Sequence, residues 1–292
     1  MEIKRPHKID QSNNNKKLKQ EYELNNRQTW KRPNLPKLTP EKDKIIFQKI
    51  DIDYTVEDPI QESHNTQVPI IRIYGINDIG NSFQANIHGV FPYFYVQAPN
   101  DFKECHCELF RSALEDRLTE KNPKSDLRTF VLNVELVKKS SIYGYSETHK
   151  DFLKITVALP KNVPTARGIL ETSLEVRGLE PQNYPTFESD VPFILRWMID
   201  SKCVGGCWIE IQEGTWSQTL SKNSRCQLEM NVFKDGIICH PPEGEWARMA
   251  PFRIFSFDTE CAGRKGVFPE PDKDPVIQIA NMVCVIYYYF IL

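Results

Sequence analysis

Two acidic residues near the end of the sequence, Asp258 and Glu260, have the spacing of a metal-binding pair. They follow the apolar run Phe252–Phe257, which predicts a β-strand buried on at least one face. Because alternate side chains of a strand share a face, both carboxylates should point the same way. Two hard oxygen ligands side by side are what a pair of divalent ions needs for phosphodiester hydrolysis. The pattern therefore predicts half of a two-metal site.

A solvated surface fits the same residues, because Asp-x-Glu alone is a common pattern. Two acids at the end of a buried strand would repel each other unless they were solvated, protonated or bridged by cations. A complete two-metal site also needs carboxylates from elsewhere in the fold. Only 26 residues follow Gly266, so we expect those further ligands to be missing from this chain.

Charge is distributed unevenly along the 292 residues. The net charge is −2, yet the first 40 residues carry +6 and the remainder −8. Bulk charge therefore gives the folded part no general attraction for nucleic acid, which would have to come from local basic patches. The length is sufficient for one large or two ordinary domains.

Eight cysteines are scattered through the sequence, and residues 1–20 lack the apolar segment of a secretory signal. We therefore expect reduced thiols. Cys105 and Cys107 flank a histidine, but no second ligand pair accompanies them, as a zinc site would require. Cys203 and Cys207 are separated by three residues, and no histidine is nearby. We predict a structural role for all eight.

Residues 1–42 are predicted to be a disordered basic tail, because they are rich in Lys, Asn and Gln and close with several prolines. Two basic clusters, separated by ten residues, have the spacing of a bipartite nuclear-import signal. Their residues are Lys4, Arg5, Lys16, Lys17 and Lys19. The pattern predicts a nuclear protein, and a solvated tail that keeps the protein soluble is the alternative.

Residues 43–248 predict a compact, strand-rich domain, and a break at 241–244 separates it from residues 249–292. A hairpin is expected from Val68–Tyr74 and Asn81–Ile87, since turn residues lie between them. Further predicted elements are strands at Phe91–Val96 and Phe152–Leu159 and helices at Pro164–Val176 and Phe193–Ile199, the last capped by Asp190. The aromatic strand Phe91–Val96 should belong to the core, because no basic residue lies within it; base stacking is the alternative.

The stretch Phe255–Ala280 resembles the first exonuclease motif of the family B DNA polymerases, and more narrowly of their eukaryotic delta type. Other segments resemble the same proteins in the same order along the chain. They are Ile87–Tyr95, Ser141–Tyr145, Phe152–Pro160, Val163–Gly168, Ser224–Glu229 and His240–Trp246. The resemblance extends from about residue 45 to Val283.

This resemblance implies a mixed α+β fold. A strand-rich N-terminal domain would be followed by the opening strands of an RNase H-like 3′→5′ exonuclease domain. It implies template-directed DNA synthesis with proofreading on a DNA primer-template, with a sliding clamp and accessory polymerase subunits as partners and no membrane contact. Asp258 and Glu260 match the metal-binding and catalytic acids of the motif. Asp258 would bridge two Mg²⁺ ions, and Glu260 would help to bind one and orient the attacking water.

The loop after the motif holds two basic residues, Arg264 and Lys265, that are candidate contacts for DNA phosphates near the 3′ end. A solvated turn is the alternative. Thr259 should point to the face opposite the two acids, so we assign it no chemical role.

The later exonuclease motifs, the palm, fingers and thumb, and the cysteine-rich module that the resemblance implies are not found in the 292 residues. The final apolar stretch, Pro275–Leu292, has three interpretations: an incomplete or mis-spliced product, a short isoform, or a membrane tail anchor. The third is disfavoured, because Val276–Val283 already matches the second strand of the exonuclease sheet. We expect the chain alone to catalyse neither reaction; a non-catalytic nucleic-acid-binding or subunit-interaction module is the alternative.

Overall fold

The computed structural model describes residues 32–63, 65–140 and 149–285. From residue 36 onward, these residues belong to one compact unit. The predicted import signal and most of the predicted disordered tail lie outside the described residues, as does the segment Ser141–Tyr145.

The larger sheet has seven strands in the order β11-β8-β1-β2-β3-β10-β9. Its strands are β1 (Ile45–Glu57), β2 (Val68–Ile76), β3 (Ser82–His88), β8 (Trp208–Ile211), β9 (Trp216–Gln218), β10 (Leu228–Phe233) and β11 (Ile237–His240). All neighbours are antiparallel except β3 and β10, which are parallel. Strands separated widely in sequence are thus brought side by side.

The predicted hairpin is confirmed as β2 and β3, which pair antiparallel. The turn between them closes through a hydrogen bond from the Gly80 amide to the Asn77 carbonyl, 3.0 Å long. Gly80 has φ 87°, a conformation that glycine adopts without steric cost. On the other side of β2, a Cβ atom at Gly75 would lie 2.3 Å from the Gln48 carbonyl oxygen, so this position of the β1–β2 pair requires glycine.

The smaller sheet has four strands in the order β5-β6-β4-β7. They are β4 (Tyr93–Gln97), β5 (Val131–Lys139), β6 (Lys150–Val157) and β7 (Thr186–Phe187). Helices α1 (Cys107–Lys121) and α2 (Asn162–Thr172) supply buried apolar side chains to the same core as β4, β5 and β6. Fully buried members of this core are Phe94, Val96, Phe110, Leu114, Leu118, Val131, Leu153, Ile155, Val157, Ala166 and Leu170.

Two predicted helices differ from the structure at their ends. Helix α2 ends at Thr172, earlier than predicted, because Ser173 is extended and Leu174 instead forms a bridge with Gln182. Helix α3 (Phe193–Asp200) begins after Pro192, and no side chain caps it, so the predicted cap at Asp190 is wrong. Proline lacks an amide hydrogen and has a fixed φ, which suits the entry into a helix.

The last described elements are β12 (Arg253–Cys261) and β13 (Val276–Val285), which form an antiparallel hairpin. The expected second strand at Val276–Val283 is therefore confirmed. Short 3-10 helices lie at Glu104–His106, Lys234–Gly236 and Gly244–Ala247. No helix among the described residues is both long and apolar enough to cross a membrane.

Candidate metal centre and nucleic-acid surface

Asp258 and Glu260 lie on β12, opposite Ala280 and Gln278 of β13. Since strand side chains alternate, the two acids share one face, and Thr259 lies on the other. The rings of Phe255 and Phe257, also two residues apart, stack at 5.6 Å. By the same alternation, these rings occupy the face opposite the carboxylates. The structure thus places both acids side by side on one face of the hairpin.

The expectation that this strand is buried on at least one face is wrong for the described residues. All residues of β12 are exposed except Cys261, which is half-buried. Phe257 keeps 65% of its surface exposed, and Ile277 on β13 keeps 68%. Among the described elements, the strand that pairs with β12 is β13, and a two-stranded ribbon cannot cover its own faces.

The carboxylates of Asp258 and Glu260 form no ion pair within residues 32–63, 65–140 and 149–285. No Lys, Arg or His nitrogen of those residues lies within 4.0 Å of either carboxylate. One oxygen of Asp258, Oδ1, accepts a hydrogen bond of 2.9 Å from the amide of Thr259. Oxygen lone pairs on both side chains therefore stay available.

The donor set fits a divalent cation only in part. No group of three or more His, Cys, Asp or Glu side chains in the described part of the chain is arranged to hold a metal ion. The Cys105–Cys107 segment is among the described residues that form no such group. There, Nδ1 of His106 accepts a hydrogen bond from the Lys103 amide. Asp258 and Glu260 supply hard oxygen ligands, but Mg²⁺ prefers a nearly octahedral set, so a complete centre needs more donors than this pair.

The loop between β12 and β13 contains both predicted phosphate contacts, and they differ in environment. Arg264 pairs with Asp274 at 3.2 Å and with Glu270 at 2.8 Å. Asp274 is buried, and its pKa is lowered first by the Glu270 amide and then by the Arg264 guanidinium. Arg264 thus stabilises the loop itself. Lys265 is exposed, and DNA contact by either residue stays a prediction.

A second candidate surface lies on the smaller sheet, around the aromatic strand β4. A cavity of about 790 Å³, which we call the Tyr93 cavity, is lined in part by Tyr93, Tyr95, Lys139, Arg167, Arg196 and Asp200. Phe94 and Val96 are fully buried, as predicted for a core strand. Tyr93 and Tyr95 point to the opposite face and are only half-buried. The core interpretation of this strand is therefore correct for one of its faces.

Three cations lie near the two tyrosine rings. The Lys154 ammonium lies 4.5 Å from the Tyr93 ring centre, and the Arg196 guanidinium lies 4.9 Å from it. Lys139 lies 5.8 Å from the Tyr95 ring. Sequence reasoning missed this cluster because the cations come from β5, β6 and α3, far from β4 in sequence. Alternation of tyrosine with the apolar residues Phe94 and Val96 was the local sign that one face is not core.

Acidic groups balance part of this positive charge. The Tyr93 hydroxyl donates to Asp200 at 2.8 Å, and Arg196 pairs with Glu188 at 2.6 Å. Burial, followed by the hydrogen bond to Asp200, raises the pKa of Tyr93. The Nε atom of Arg196 is buried and has no hydrogen-bond partner among the described residues.

Comparison with known proteins covers both surfaces. Residues 184–287 match the model "DNA polymerase family B, exonuclease domain". Residues 89–164 match the model "DNA polymerase delta catalytic subunit-like, N-terminal domain". The chain belongs to the family B DNA polymerases. Asp258 and Glu260 fall inside the exonuclease match, whereas Tyr93 and Tyr95 fall inside the N-terminal match.

Similar curated proteins are delta-type family B polymerases. The DNA polymerase delta catalytic subunit of Drosophila melanogaster is 42% identical over 265 residues, covering 87% of this chain and 24% of the fly protein. That of Glycine max is 44% identical over 276 residues, covering 91% of this chain and 25% of the soybean protein. The chain therefore spans about a quarter of the length of the curated relatives it matches.

A solved family B DNA polymerase from the archaeon Pyrobaculum calidifontis has a similar fold. The TM-score is 0.59 with 22% sequence identity, covering 82% of this chain and 25% of the archaeal one. The predicted strand-rich, mixed α+β family B fold is thereby confirmed. The exonuclease match begins at residue 184, inside the segment 43–248, so the domain boundary at 249 stays a prediction.

Proposed function

We propose that these residues form the N-terminal domain and the opening of the 3′→5′ exonuclease domain of a delta-type replicative DNA polymerase. One observation carries the proposal: Asp258 and Glu260 lie side by side, exposed and free of ion pairs among the described residues, within the part of the chain that matches the family B exonuclease model. Carboxylates without a structural partner are available to bind a cation and substrate.

Asp258 and Glu260 would hold Mg²⁺ together with further oxygen ligands. When bound, the ions would activate the attacking water and stabilise the leaving oxygen. The contribution of this chain is to fix two oxygen donors at adjacent same-face positions of one strand. The register of β12 against β13 maintains that placement, because a slip by one residue would move both acids to the other face.

The remaining features belong to the same proposal. The substrate would be a DNA primer-template, and Arg264 and Lys265 would lie near its phosphates. A sliding clamp and accessory polymerase subunits would be partners of the complete enzyme. Nuclear import would use the basic clusters at Lys4, Arg5, Lys16, Lys17 and Lys19. Residues 43–248 would form the N-terminal domain, and residues 249–292 would open the exonuclease domain.

The test uses a polymerase chain of the relatives' length that includes these residues. The substitutions Asp258→Asn and Glu260→Gln should each reduce 3′-nucleotide release by about a hundredfold or more, because a charge-stabilising group is lost. Primer extension should persist. Asp272→Asn, an exposed acid in the loop of the same hairpin, is the matched control and should retain nucleotide release. Wild-type release by the Asp258→Asn enzyme would overturn the proposal.

A second candidate function, binding of single-stranded nucleic acid at the Tyr93 cavity, is favoured by the rings and cations that meet there. Bases stack on aromatic side chains, and nearby cations contact the backbone. Tyr95→Ala should weaken the affinity of this chain for single-stranded DNA about tenfold. Phe268→Ala, at a ring that is 90% exposed, should not. Equal affinities of the wild-type chain and both variants would exclude this candidate.

A further inference from the structure

Three cysteine thiols from two parts of the fold meet beside the larger sheet. Cys203 and Cys207 lie in the loop between α3 and β8, with their Sγ atoms 3.5 Å apart. Cys239 lies on β11, opposite Ile209 of β8, and its pKa is raised by the influence of the other two thiols. Cys203 and Cys207 are buried, whereas Cys239 is half-buried. We call Cys203, Cys207 and Cys239 the thiol group.

The backbone around the two loop cysteines is held in place by β1. Nε2 of Gln48 donates to the Gly206 carbonyl at 2.8 Å, and the Lys49 amide donates to the Cys207 carbonyl at 2.9 Å. Gly206 has φ 66°, which favours glycine, so the loop can turn back toward its own start. The contact between the two sulfur atoms is therefore set by hydrogen bonds to a neighbouring strand.

The three thiols differ in pKa because their surroundings differ. Hydrogen bonds from Cys203 and Cys239 lower the pKa of Cys207, and the positive charge of Lys49 adds to this effect. The pKa of Cys203 is raised, first by its hydrogen bond to Cys207. Of the pair, Cys207 is thus the thiol that loses its proton more readily. The thiolate is the reactive form of cysteine toward electrophiles.

The thiol group is not arranged as a metal site, since no described cluster of His, Cys, Asp or Glu has that geometry. We propose that Cys203 and Cys207 are a site of reversible oxidation, at which a hydroperoxide converts the two thiols to a disulfide. A disulfide sulfur–sulfur bond measures about 2.0 Å, so the sulfur atoms must approach by about 1.5 Å. Rotation of the two side chains about χ1 provides that movement.

The reaction has two steps when the oxidant is hydrogen peroxide. The Cys207 sulfur attacks one peroxide oxygen, the O–O bond breaks, and the departing hydroxide takes up the proton that Cys207 released and leaves as water. This forms a sulfenic acid at Cys207. The Cys203 sulfur then attacks the Cys207 sulfur, the S–S bond forms, and the S–O bond breaks. The Cys203 proton leaves with that oxygen as a second water. Two thiols are oxidised and one peroxide is reduced.

The first test maps the product in the folded chain. After peroxide treatment, free thiols are alkylated, and the unreduced chain is digested and analysed by mass spectrometry. We expect a peptide in which Cys203 and Cys207 are joined, two hydrogens lighter and not alkylated. Dithiothreitol should restore two alkylatable thiols in that peptide. Full alkylation of Cys203 and Cys207 after peroxide, while the exposed Cys105 is oxidised, would overturn the proposal.

The second test measures the rate of disulfide formation. Lys49→Met should slow it about tenfold, because the ammonium that favours the Cys207 thiolate is lost. Lys44→Met is the matched control, since Lys44 lies on the same stretch of chain but pairs with Glu210 at 3.3 Å. The control should react at the wild-type rate. Equal rates for the Lys49 and Lys44 variants would contradict the assigned role of Lys49.

Discussion

The seven-stranded and four-stranded sheets, with the helices packed on them, form what we call the body of the protein. Two glutamates show how this body differs from the β12–β13 hairpin. Glu229, on β10, is 1% exposed and accepts hydrogen bonds from the amides of Asn223 and Ser224. Glu260, on β12, is exposed, and no cation of the described residues lies within 4.0 Å of it. Glu229 thus holds backbone in place, whereas Glu260 is left available for chemistry.

Apolar side chains show the same contrast. Phe94 is fully buried in the core of the smaller sheet, while Phe257 is 65% exposed. Hydrophobic burial should therefore stabilise the body and contribute little to the hairpin. The stacked rings of Phe255 and Phe257 therefore leave an exposed apolar face on the hairpin.

The largest expected effect is on the free energy of unfolding of core variants. Phe94→Ala should lower it by about 3–5 kcal/mol, because a cavity is left in a closely packed core. Phe257→Ala should change it by less than about 0.5 kcal/mol, as is usual for an exposed position. Urea unfolding followed by circular dichroism measures both values. Similar losses in the two variants would show that the hairpin is packed in solution.

The next largest effect on the free energy of unfolding is expected for a carboxylate that accepts hydrogen bonds from backbone amides. Glu115 on α1 accepts hydrogen bonds from the amides of Phe130 and Val131, with lengths of 2.6 to 3.0 Å. Glu115→Ala should cost about 1–3 kcal/mol, because those amides lose their acceptor. Asp116→Asn, on the exposed side of the same helix, should leave unfolding unchanged. The same denaturation assay measures both variants. An unchanged free energy of unfolding in Glu115→Ala would show that this carboxylate does not stabilise the body.

A smaller effect should appear in the pH dependence of stability. Burial opposes ionisation of Glu229, but hydrogen bonds from Ser224 and Asn223 prevail and lower its pKa below 4.5. A lowered folded-state pKa stabilises the protein above the unfolded-state pKa, and this stabilisation disappears as the pH falls through the folded-state value. Glu229→Gln should therefore flatten the decline in stability below about pH 4.5. Urea unfolding at a series of pH values measures the decline, and an equally steep decline in Glu229→Gln would contradict this prediction.

The smallest effect should be confined to the β12–β13 loop. Arg264→Gln removes the pairs with Asp274 and Glu270, so the amides of residues 270–274 should exchange hydrogen faster. Lys265→Gln should leave exchange unchanged, because Lys265 has no partner among the described residues. Hydrogen exchange read by mass spectrometry reports both. Unaltered exchange in Arg264→Gln would show that the ion pairs do not order the loop.

Local patterns predicted the local parts of this structure. The β2–β3 hairpin followed from turn residues next to apolar runs, and the two strands around Asp258 followed from their apolar sequence and the family resemblance. Features that depend on distant residues were missed. Lys139 and Arg196 reach Tyr95 and Tyr93 from other elements, and no spacing in the sequence indicates that contact.

Local sequence patterns also could not predict the exposure of β12 or the contacts between the thiols. The exposure of β12 could not be predicted from its apolar composition, because burial depends on what packs against a strand rather than on the strand itself. Cys239 joins Cys203 and Cys207 only because β11 pairs with β8. Sequence separation therefore hid the third thiol, and the two loop cysteines alone carried no ligand pattern.

Nucleotide release from single-stranded DNA by the purified 292-residue chain tests most directly whether its two exposed carboxylates need further ligands. The chain is incubated with Mg²⁺ or Mn²⁺, beside a chain of the relatives' length and the Asp258→Ala variant of each. We predict release by the longer wild-type chain only. Release by the 292-residue chain that disappears in its Asp258→Ala variant would contradict this, because two carboxylates would then be sufficient for catalysis.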